Sequence, residues 1–471
     1  MRVLFTHSYF LKFDPKQWKQ MQPYAPLGTL YAAALLRESG MEVALHDVMF
    51  CDEPCSVEKP LAAFEPDILV VYDDGFNYLT KMCLTNMRVA AFEMCWIGKQ
   101  HGCKVIVCSS DATDHFEKYL DNHADYVIFG EGEQTLLELV SGLEEEKNNA
   151  KEIAGIIFRD DKGKTVQTQP RKVIHQLDEL PLPAWDLVDV AAYKKAWLGS
   201  MGYFSINVST TRGCPFKCNW CAKPIYGNRY NVRSPEHVVG ELTLLKEKYG
   251  FEHVWFCDDI FGLKPGWIKK FSELVKAGDL HFRFKIQSRA DLLLKDAQVE
   301  PLADAGCETV WIGAESGSQK ILDAMDKGIT TAQITEATLV LKKYGIKVAY
   351  FLQFGYLGET RDDIDKTLTM LSENRPDDIG ISVSYPLPGT KFYDMVGEQL
   401  KQKTNWTDSN DLALMFRNTF DARFYRNLHK YVHAFFRKQK AIATRFSAKQ
   451  IVRVPYYLLQ ERWYRRYLNK R

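Results

Sequence analysis

Three cysteines lie close together in the middle of the chain, at Cys214, Cys218 and Cys221. Their Cys-x3-Cys-x2-Cys spacing is short, so the three thiolates can hold three corners of an iron–sulfur cube. Because a four-iron cluster normally takes four cysteinates, its fourth iron is left open to a small chelating ligand. The alternatives are chance clustering and a structural zinc site, which needs a fourth Cys or His at knuckle spacing that does not follow nearby. The spacing favours the open-cornered cluster.

The composition predicts a cytoplasmic protein of two or three domains. A chain of 471 residues is long enough for several cores, and eleven cysteines, an uneven number, fit a reducing compartment better than a disulfide framework. The apolar stretch at 1–7 is too short for the core of a signal peptide, and no segment approaches the length of a membrane span. We therefore expect a protein that is soluble or peripheral to a membrane.

Basic charge is concentrated at one end of the chain. The formal net charge is +1, yet residues 421–471 contain fourteen Lys or Arg against two acidic residues. The remainder of the chain is therefore acidic overall.

Residues 1–145 alternate between strand-like and helical patterns, which predicts a doubly wound, Rossmann-like parallel sheet. Predicted strands are Arg2–His7, Glu42–Asp47, Ile68–Tyr72, Val105–Cys108 and Tyr126–Phe129, and predicted helices are Pro26–Leu36, Leu79–Gly98 and Glu133–Leu143. Ligands of such sheets bind at the carboxyl ends of the strands. The loops of interest therefore begin at Ser8, Asp73, Ser109 and Gly130.

Residues 146–200 read as a connector with a hairpin, and residues 201–395 read as a second α/β domain. Strands are predicted at Phe204–Ser209, His253–Cys257, Arg283–Gln287, Thr309–Ile312, Lys347–Gln353 and Ile379–Val383. Six strand and helix units fit a partial (β/α)6 barrel, where chemistry occurs at the carboxyl ends of the strands. The cysteine loop follows the first of these strands.

The second domain resembles the radical S-adenosylmethionine (radical SAM) superfamily. The resemblance rests on the cysteine spacing with Trp220 before the last cysteine, on the segment 311–317, and on 355–360, where Leu357 replaces the family's usual proline. It implies a 4Fe-4S cluster whose open iron is chelated by the amino and carboxylate groups of S-adenosylmethionine. Reductive cleavage of that sulfonium then gives a 5′-deoxyadenosyl radical.

The resemblance also implies which strand-end side chains bind S-adenosylmethionine. Asp258 or Asp259 would accept from the methionine amino group, and Arg289 would meet its carboxylate or the ribose. Glu315 and Trp220 belong to matching family segments and are assigned to the same cofactor. Each of these residues taken alone would more often be a loop cap or a surface ion pair.

The first domain resembles the cobalamin-binding domain that precedes many radical SAM barrels. The matching pieces are 26–28, 124–127 and 130–133. The cofactor-binding residues predicted here are Gly28, Asp73, Asp74, Gly130, Glu131 and Gly132. The Asp-x-His-x-x-Gly signature is absent, and 108–113 lacks the glycines of the Gly-Gly-Pro-His-Ala-Thr loop in relatives. The alternative is a Rossmann-like domain that has lost cobalamin and shapes the substrate site.

Residues 396–471 are predicted to form a helical, basic C-terminal extension. Phe424, Leu428 and Val432 recur at helical spacing among Lys and Arg, and 454–467 is rich in aromatic residues and arginine. One interpretation is a helix packed on the barrel with its charged edge in water. The other is peripheral contact of 420–471 with anionic lipid headgroups at the inner membrane face. No nucleic-acid recognition fold accompanies the tail, so we expect no nucleic-acid partner.

Together these features predict a radical SAM methyltransferase that depends on cobalamin and methylates an unactivated carbon. The alternatives are an oxidative cyclase of the anaerobic tetrapyrrole type, a cobalamin-free radical enzyme, and a catalytically silent cofactor-binding module. The substrate is expected to be a small molecule or a lipid, and the reductant a flavodoxin or ferredoxin. The sequence assigns no catalytic residue.

Overall fold

The computed structural model describes residues 1–145, 150–221, 225–295, 297–443 and 448–469. The chain divides into two compact units. The first contains 1–215, 223–259 and 405–411, and the second contains 216–222, 260–404 and 412–471. The predicted four-part division at 145, 200 and 395 stays a prediction.

Strands and helices alternate through most of the described chain. The strands are β1 (Arg2–Thr6), β2 (Glu42–His46), β3 (Ile68–Tyr72), β4 (Lys104–Cys108), β5 (Tyr126–Ile128), β6 (Ile156–Arg159), β7 (Thr165–Gln167), β8 (Ser205–Val208), β9 (Thr211–Arg212), β10 (Asn231–Val232), β11 (His253–Phe256), β12 (Arg283–Ser288), β13 (Cys307–Glu315), β14 (Lys347–Phe354) and β15 (Asp378–Val383). The α-helices are α1 (Pro15–Gln20), α2 (Leu27–Glu38), α3 (Glu58–Phe64), α4 (Tyr78–Lys81), α5 (Thr85–Gln100), α6 (Ser110–Asp114), α7 (Phe116–Asp121), α8 (Glu133–Glu144), α9 (Val190–Met201), α10 (Pro235–Tyr249), α11 (Trp267–Ala277), α12 (Ala290–Leu293), α13 (Val299–Asp304), α14 (Gln319–Ala324), α15 (Thr331–Lys343), α16 (Arg361–Asn374), α17 (Lys391–Val396), α18 (Ala422–Ala443) and α19 (Ala448–Asn469).

The first unit is built on a seven-stranded sheet in the order β2-β1-β3-β4-β5-β6-β7. The first five strands of that order are parallel, as predicted for a doubly wound domain. Strand order reverses between β1 and β3, so a cleft for ligands is expected beyond the carboxyl ends of these two strands. The loops at that edge begin at Ser8 and Asp73.

Alternating side chains of the strands fill two cores, one on each face of the sheet. Leu4 packs with residues of α5, including Met94, whereas Val3 and Phe5 pack on the opposite face with residues of α2 and α8. Helices on both faces therefore cover the sheet, which confirms the doubly wound prediction.

The predicted hairpin of the connector is an extension of this sheet. Strand β6 pairs antiparallel with β5, and β7 pairs antiparallel with β6. The sequence pattern identifies the hairpin but contains no signal for its partner, because the partner is a strand nearly thirty residues away.

All six strands predicted for the second domain are present. In the first unit, β8 and β11 pair in parallel. In the second unit, β12, β13, β14 and β15 pair in parallel in that order. A helix follows each of β11, β12, β13 and β14, which is the predicted β/α alternation.

Two long helices, α18 and α19, end the described chain, as predicted for the C-terminal extension. Phe424, Leu428 and Val432 are buried, so α18 has an apolar side within the second unit. Over the described residues, the structure contains no helix both long enough and apolar enough to cross a membrane.

Candidate functional site

Asp258 fixes the start of the cysteine loop within the first unit. Its carboxylate accepts hydrogen bonds from the backbone N–H groups of Thr210 at 2.7 Å and Thr211 at 2.8 Å, and from Thr210 Oγ1 at 2.6 Å. Burial raises the pKa of Asp258 to about 6, although these hydrogen bonds favour its charged form. Asp258 was predicted to bind cofactor, and its observed contacts are with the loop that leads to Cys214.

The second acid of that pair, Asp259, forms an ion pair. Asp259 Oδ1 lies 2.7 Å from Lys81 Nζ in the same unit. Both predicted carboxylates at the end of β11 therefore have protein partners in the structure.

Arg212, two residues before Cys214, is held by two buried glutamates. Its Nη1 lies 2.5 Å from Glu131 Oε1, and its Nη2 lies 2.8 Å from Glu133 Oε1. The guanidinium carbon also lies 5.3 to 5.6 Å from the centroids of three aromatic rings, those of Tyr31, Phe76 and Tyr226. A guanidinium binds two carboxylates and stacks on rings through one planar group, which explains arginine at this position. Sequence reasoning gave Arg212 no role, although it stands two residues before the cysteine motif.

The glycine-rich loop after β5 therefore contacts the base of the cysteine loop. Glu131 Oε2 also accepts from the backbone N–H of Ile174 at 2.5 Å, which ties the connector to the same point. Gly132 has no room for a side chain, because a Cβ there would lie 2.6 Å from Cys108 Sγ and 2.8 Å from Tyr72 Oη. Gly130 has φ of +77°, and the nearest atom to a Cβ there is 4.0 Å away.

Asp73 and Asp74, which follow β3, accept hydrogen bonds from the loop after β1 and from the first turn of α2. Asp73 accepts from Ser8 N at 2.7 Å and Ser8 Oγ at 2.9 Å. Asp74 accepts from Gly28 N at 2.9 Å, and a Cβ on Gly28 would lie 3.1 Å from the same carboxylate oxygen. Burial raises the pKa of both carboxyls. The hydroxyl of Tyr9, two residues beyond His7, is buried without a hydrogen-bond partner among the described residues.

In the second unit, Asn219 fixes the part of the cysteine loop that contains Cys218 and Cys221. Its Nδ2 donates to Ala324 O at 2.7 Å, and its Oδ1 accepts from Tyr356 Oη at 2.9 Å. Its backbone N–H donates to Met325 O at 3.1 Å. Asn219 was also missed by sequence reasoning, and only its place between two cysteines signals a role.

Trp220, Glu315 and Lys327 form a polar group in the same unit. Lys327 Nζ lies 2.7 Å from Glu315 Oε1 and 5.9 Å from the centroid of the Trp220 ring. Burial alone would lower the pKa of Lys327, but the Glu315 carboxylate raises it, as does the nearby Cys218 side chain. The indole N–H of Trp220 is buried and finds no acceptor in the part of the chain that the structure describes. Lys327 is a further residue that the sequence did not single out.

Arg289, at the end of β12, also belongs to the second unit. Its guanidinium carbon lies 3.8 Å from the centroid of the Phe216 ring, Nε lies 2.9 Å from Asp291 Oδ1, and Nη2 donates to Gly328 O at 3.3 Å. Gly328 follows Lys327, so the arginine and the lysine are fixed by adjacent stretches of chain.

The three cysteines fit a cluster by their chemistry. Every cysteine of the chain is a thiol, and those of Cys214, Cys218 and Cys221 are partly exposed, whereas most of the others are buried. Across the described ranges, no three His, Cys, Asp or Glu side chains are arranged as a ready ligand set for a metal ion. The assignment of the three thiolates therefore rests on their type and spacing, and it stays a prediction.

Comparison with known proteins adds evidence on family and fold. Residues 208–371 match the model of the Radical SAM superfamily. The chain is 29% identical to the uncharacterized methyltransferase PH0819 of Pyrococcus horikoshii, over 81% of this chain and 80% of that protein. It is 26% identical to the anaerobic magnesium-protoporphyrin IX monomethyl ester cyclase of Synechocystis sp., over 86% of this chain and 80% of that protein. It is 25% identical to the hopanoid C-3 methylase of Methylococcus capsulatus, over 80% and 69%.

Two solved structures show the same fold. The cobalamin-dependent S-adenosylmethionine radical enzyme OxsB superposes with a TM-score of 0.76 over 98% of this chain and 71% of its own, at 18% identity. The radical S-adenosylmethionine methyltransferase TsrM from Kitasatospora setae superposes with a TM-score of 0.68 over 84% of this chain and 74% of its own, also at 18% identity. The predicted architecture, a doubly wound domain followed by a partial barrel, is confirmed.

Proposed function

We propose that the chain is a cobalamin-dependent methyltransferase of the radical SAM superfamily that acts on an unactivated carbon, as its match to that superfamily's model over residues 208–371 supports. The observation that carries the proposal is the order of its parts. A doubly wound domain with a 2-1-3-4-5 parallel core precedes the cysteine loop of a radical SAM barrel. Likeness to PH0819 and to the hopanoid methylase, over most of each chain, supports methyl transfer.

Membership of the superfamily implies a 4Fe-4S cluster and S-adenosylmethionine. Cys214, Cys218 and Cys221 are the proposed cluster ligands. When bound, these groups supply one-electron cleavage of the sulfonium and hence an adenosyl radical, while cobalamin supplies the methyl group. The protein's own part is to hold the loop, which Asp258 does in the first unit and Asn219 does in the second.

We assign the pair Lys327 and Glu315 to the amino-acid end of S-adenosylmethionine. An ammonium ion matches the methionine carboxylate, and a carboxylate matches the methionine amino group. Arg289 adds a second cation, and the unpartnered indole N–H of Trp220 is a donor of the kind that a bound ligand would satisfy. Asp258 and Asp259 then act on the protein itself, Asp258 by holding the loop that leads to Cys214 and Asp259 by pairing with Lys81.

Cobalamin is proposed for the carboxyl edge of the first sheet. The switch between β1 and β3 is where such sheets bind ligands. A Cβ on Gly130 would meet Ile225 O only at 4.0 Å, so the loop is not crowded there, and the Tyr9 hydroxyl is a buried group in need of a partner. We propose that Asp73, Asp74, Gly28, Glu131 and Gly132 shape the loops of this edge, because their polar or steric interactions are within the protein. The alternative is a domain that shapes the substrate site without cobalamin.

A second candidate is an oxidative ring cyclase, which is favoured by likeness to the Synechocystis cyclase over 86% of this chain. The two candidates differ in their products. Methyl transfer through cobalamin consumes a second S-adenosylmethionine and yields S-adenosylhomocysteine, whereas cyclisation does not. In both, the substrate is a small molecule or a lipid and the reductant is a flavodoxin or ferredoxin.

The test is anaerobic reconstitution with iron, sulfide and hydroxocobalamin, followed by reduction in the presence of S-adenosylmethionine. We expect 5′-deoxyadenosine, S-adenosylhomocysteine and retained cobalamin. The variant with Cys214→Ser, Cys218→Ser and Cys221→Ser should give neither nucleoside, while Cys55→Ser, which changes an exposed cysteine outside the motif, should give both. Formation of 5′-deoxyadenosine alone, without cobalamin retention, would reject the methyltransferase in favour of a cobalamin-free radical enzyme.

We also propose that residues 420–471 place the enzyme at the surface of a membrane. The support is the concentration of positive charge and aromatic side chains in this part of the chain.

A further inference from the structure

The outer face of α19 carries an apolar stripe. Tyr456, Leu459 and Trp463 are 57%, 66% and 52% exposed. At about 100° per residue, their spacing places them within about 60° of arc on the helix. A contiguous exposed apolar surface of this kind marks an interaction site more often than chance exposure.

The opposite side of α19 is packed. Leu468 is buried, and Glu461 pairs with Lys438 of α18 at 2.5 Å. The helix therefore has a defined inner side, and the exposed stripe does not result from a helix that lacks a packing surface. Apolar side chains on both sides are unusual for a helix at the surface of a protein, which typically has one apolar face.

Arginines border the stripe. Arg462 and Arg466 follow the stripe on one side, about 60° and 20° beyond Leu459, and Arg465 lies further round. All three are exposed. The outer positions of α18 are also basic, namely Arg423, Arg426, Lys430 and Arg437, all of them exposed. The stripe therefore has basic residues along one border, on a C-terminal extension that is basic overall.

We infer that the α19 face of Tyr456, Leu459 and Trp463 docks on an anionic lipid surface, with Arg462 and Arg466 at the headgroups. This inference rests on the membrane contact proposed above and names the surface that makes it. Aromatic rings and arginine stems are both favoured at the boundary between headgroups and acyl chains. Binding of this kind increases with buried apolar area and with attraction to anionic lipids.

Charge decides between this partner and a second copy of the chain. Pairing two copies through this face would bring like-charged arginines together, which disfavours association. Nucleic acid would satisfy the arginines, but Leu459, the most exposed of the three apolar residues, has no stacking surface to offer a base. An anionic lipid surface can pair with the arginines through its headgroups and bury Leu459 among its acyl chains.

The test is sedimentation of the purified, reconstituted full-length chain with vesicles. We expect binding to vesicles that contain phosphatidylglycerol, weak binding to pure phosphatidylcholine, and release by added salt. Combined Arg462→Gln and Arg466→Gln should lower the partition coefficient on the order of thirtyfold, since each basic residue near an anionic surface contributes about 1 kcal/mol and about 1.4 kcal/mol corresponds to a tenfold change. Combined Tyr456→Ser, Leu459→Ser and Trp463→Ser should lower it at least about tenfold.

Matched control variants remove exposed apolar or positively charged side chains outside α19. Val89→Ser with Trp96→Ser deletes exposed apolar side chains of α5, and Lys264→Gln with Lys269→Gln deletes two exposed charges. Both controls should bind vesicles like the unmodified chain. Because glutamine is a good helix former and keeps these exposed positions polar, the arginine variant tests the face even if the apolar variant loses its fold.

Several results would overturn the inference. These are no binding to anionic vesicles, equal binding to both vesicle types, unchanged binding of the α19 variants, or tighter binding to a DNA duplex than to the vesicles. A dimer that the apolar variant dissociates, without vesicle binding, would assign the face to a second copy. Sedimentation needs no turnover, so its failure is separate from a failure to form S-adenosylhomocysteine.

Discussion

Arg212 links the glycine-rich loop after β5 to the chain that leads into the cysteine motif, through its ion pairs with Glu131 and Glu133. The carboxylates of Glu131 and Glu133 and the guanidinium of Arg212 are buried together, so water reaches neither the negative nor the positive groups. Burial raises the pKa of Glu131 even though Arg212 favours its charged form. The cost of dehydrating three charged groups is offset only while all three are present.

We predict that Arg212→Ala lowers the free energy of unfolding by about 3–5 kcal/mol, because it leaves two buried carboxylates without a cation. Urea unfolding monitored by circular dichroism measures the change. The same variant should bind less iron on reconstitution, because Arg212 fixes the chain that leads into Cys214. Arg212→Lys keeps the positive charge but not the planar guanidinium, so it should lose less unfolding free energy and less iron than Arg212→Ala.

Arg88→Ala is the matched control for this prediction. Arg88 forms a buried ion pair with Asp111, at 2.5 Å, that does not touch the cysteine loop. The Arg88→Ala variant should lose a comparable free energy of unfolding but bind as much iron on reconstitution as the unmodified chain. If the two variants lost iron equally under conditions in which both are folded, Arg212 would have no specific role in holding the loop.

Most elements were predictable because they depend on local patterns. The β3 strand has the predicted bounds, and the six strands of the second domain lie within a few residues of their predicted positions. Periodicity and turn residues are local, so a sequence shows them directly. The same holds for the cysteine motif and for the acids at the ends of strands.

Contacts between distant segments were not predictable. The helix expected at 79–98 is two helices, α4 and α5, because Cys83 between them has φ of +55°, which a regular helix does not allow. Residues 405–411 belong to the first unit, where Trp406 O accepts from Thr85 N at 2.9 Å. The partners of Arg212, Asn219 and Asp258 were missed for the same reason, since each contact joins residues far apart in sequence.

Packing of α8 against the sheet supplies a prediction at Gly132, where the helix begins. A Cβ there would lie 2.6 Å from Cys108 Sγ, so Gly132→Ala should destabilise the fold by about 1–3 kcal/mol through overpacking. Gly199→Ala in α9 is the control, because no atom lies within 4 Å of its Cβ position. It should stabilise the helix by about 0.5–1 kcal/mol. Thermal or urea unfolding of both variants checks the pair, and an equal response of the two would contradict the packing argument.

Charge is segregated over the whole molecule although the net charge is only +1. The basic tail and the acidic remainder follow each other along one chain, and the exposed residues of α18 are mostly basic. Mixed charges near zero net charge favour association, so the protein is expected to be sensitive to ionic strength. This sensitivity belongs to the tail and is separate from the chemistry of the cysteine loop.

Ligand binding to the folded state alone stabilises the whole protein, and this gives a test of the cofactor assignment that needs no turnover. S-Adenosylmethionine at a hundredfold excess over its dissociation constant should add about 2.7 kcal/mol. Because the open iron is the proposed chelation point, we predict a higher thermal midpoint with S-adenosylmethionine only in the cluster-loaded protein. Anaerobic differential scanning fluorimetry should show the shift in the unmodified chain and in Cys55→Ser, but not in the variant that lacks Cys214, Cys218 and Cys221. An equal shift in that variant would mean that S-adenosylmethionine binds through protein side chains alone, with Lys327 and Glu315 as the first residues to test.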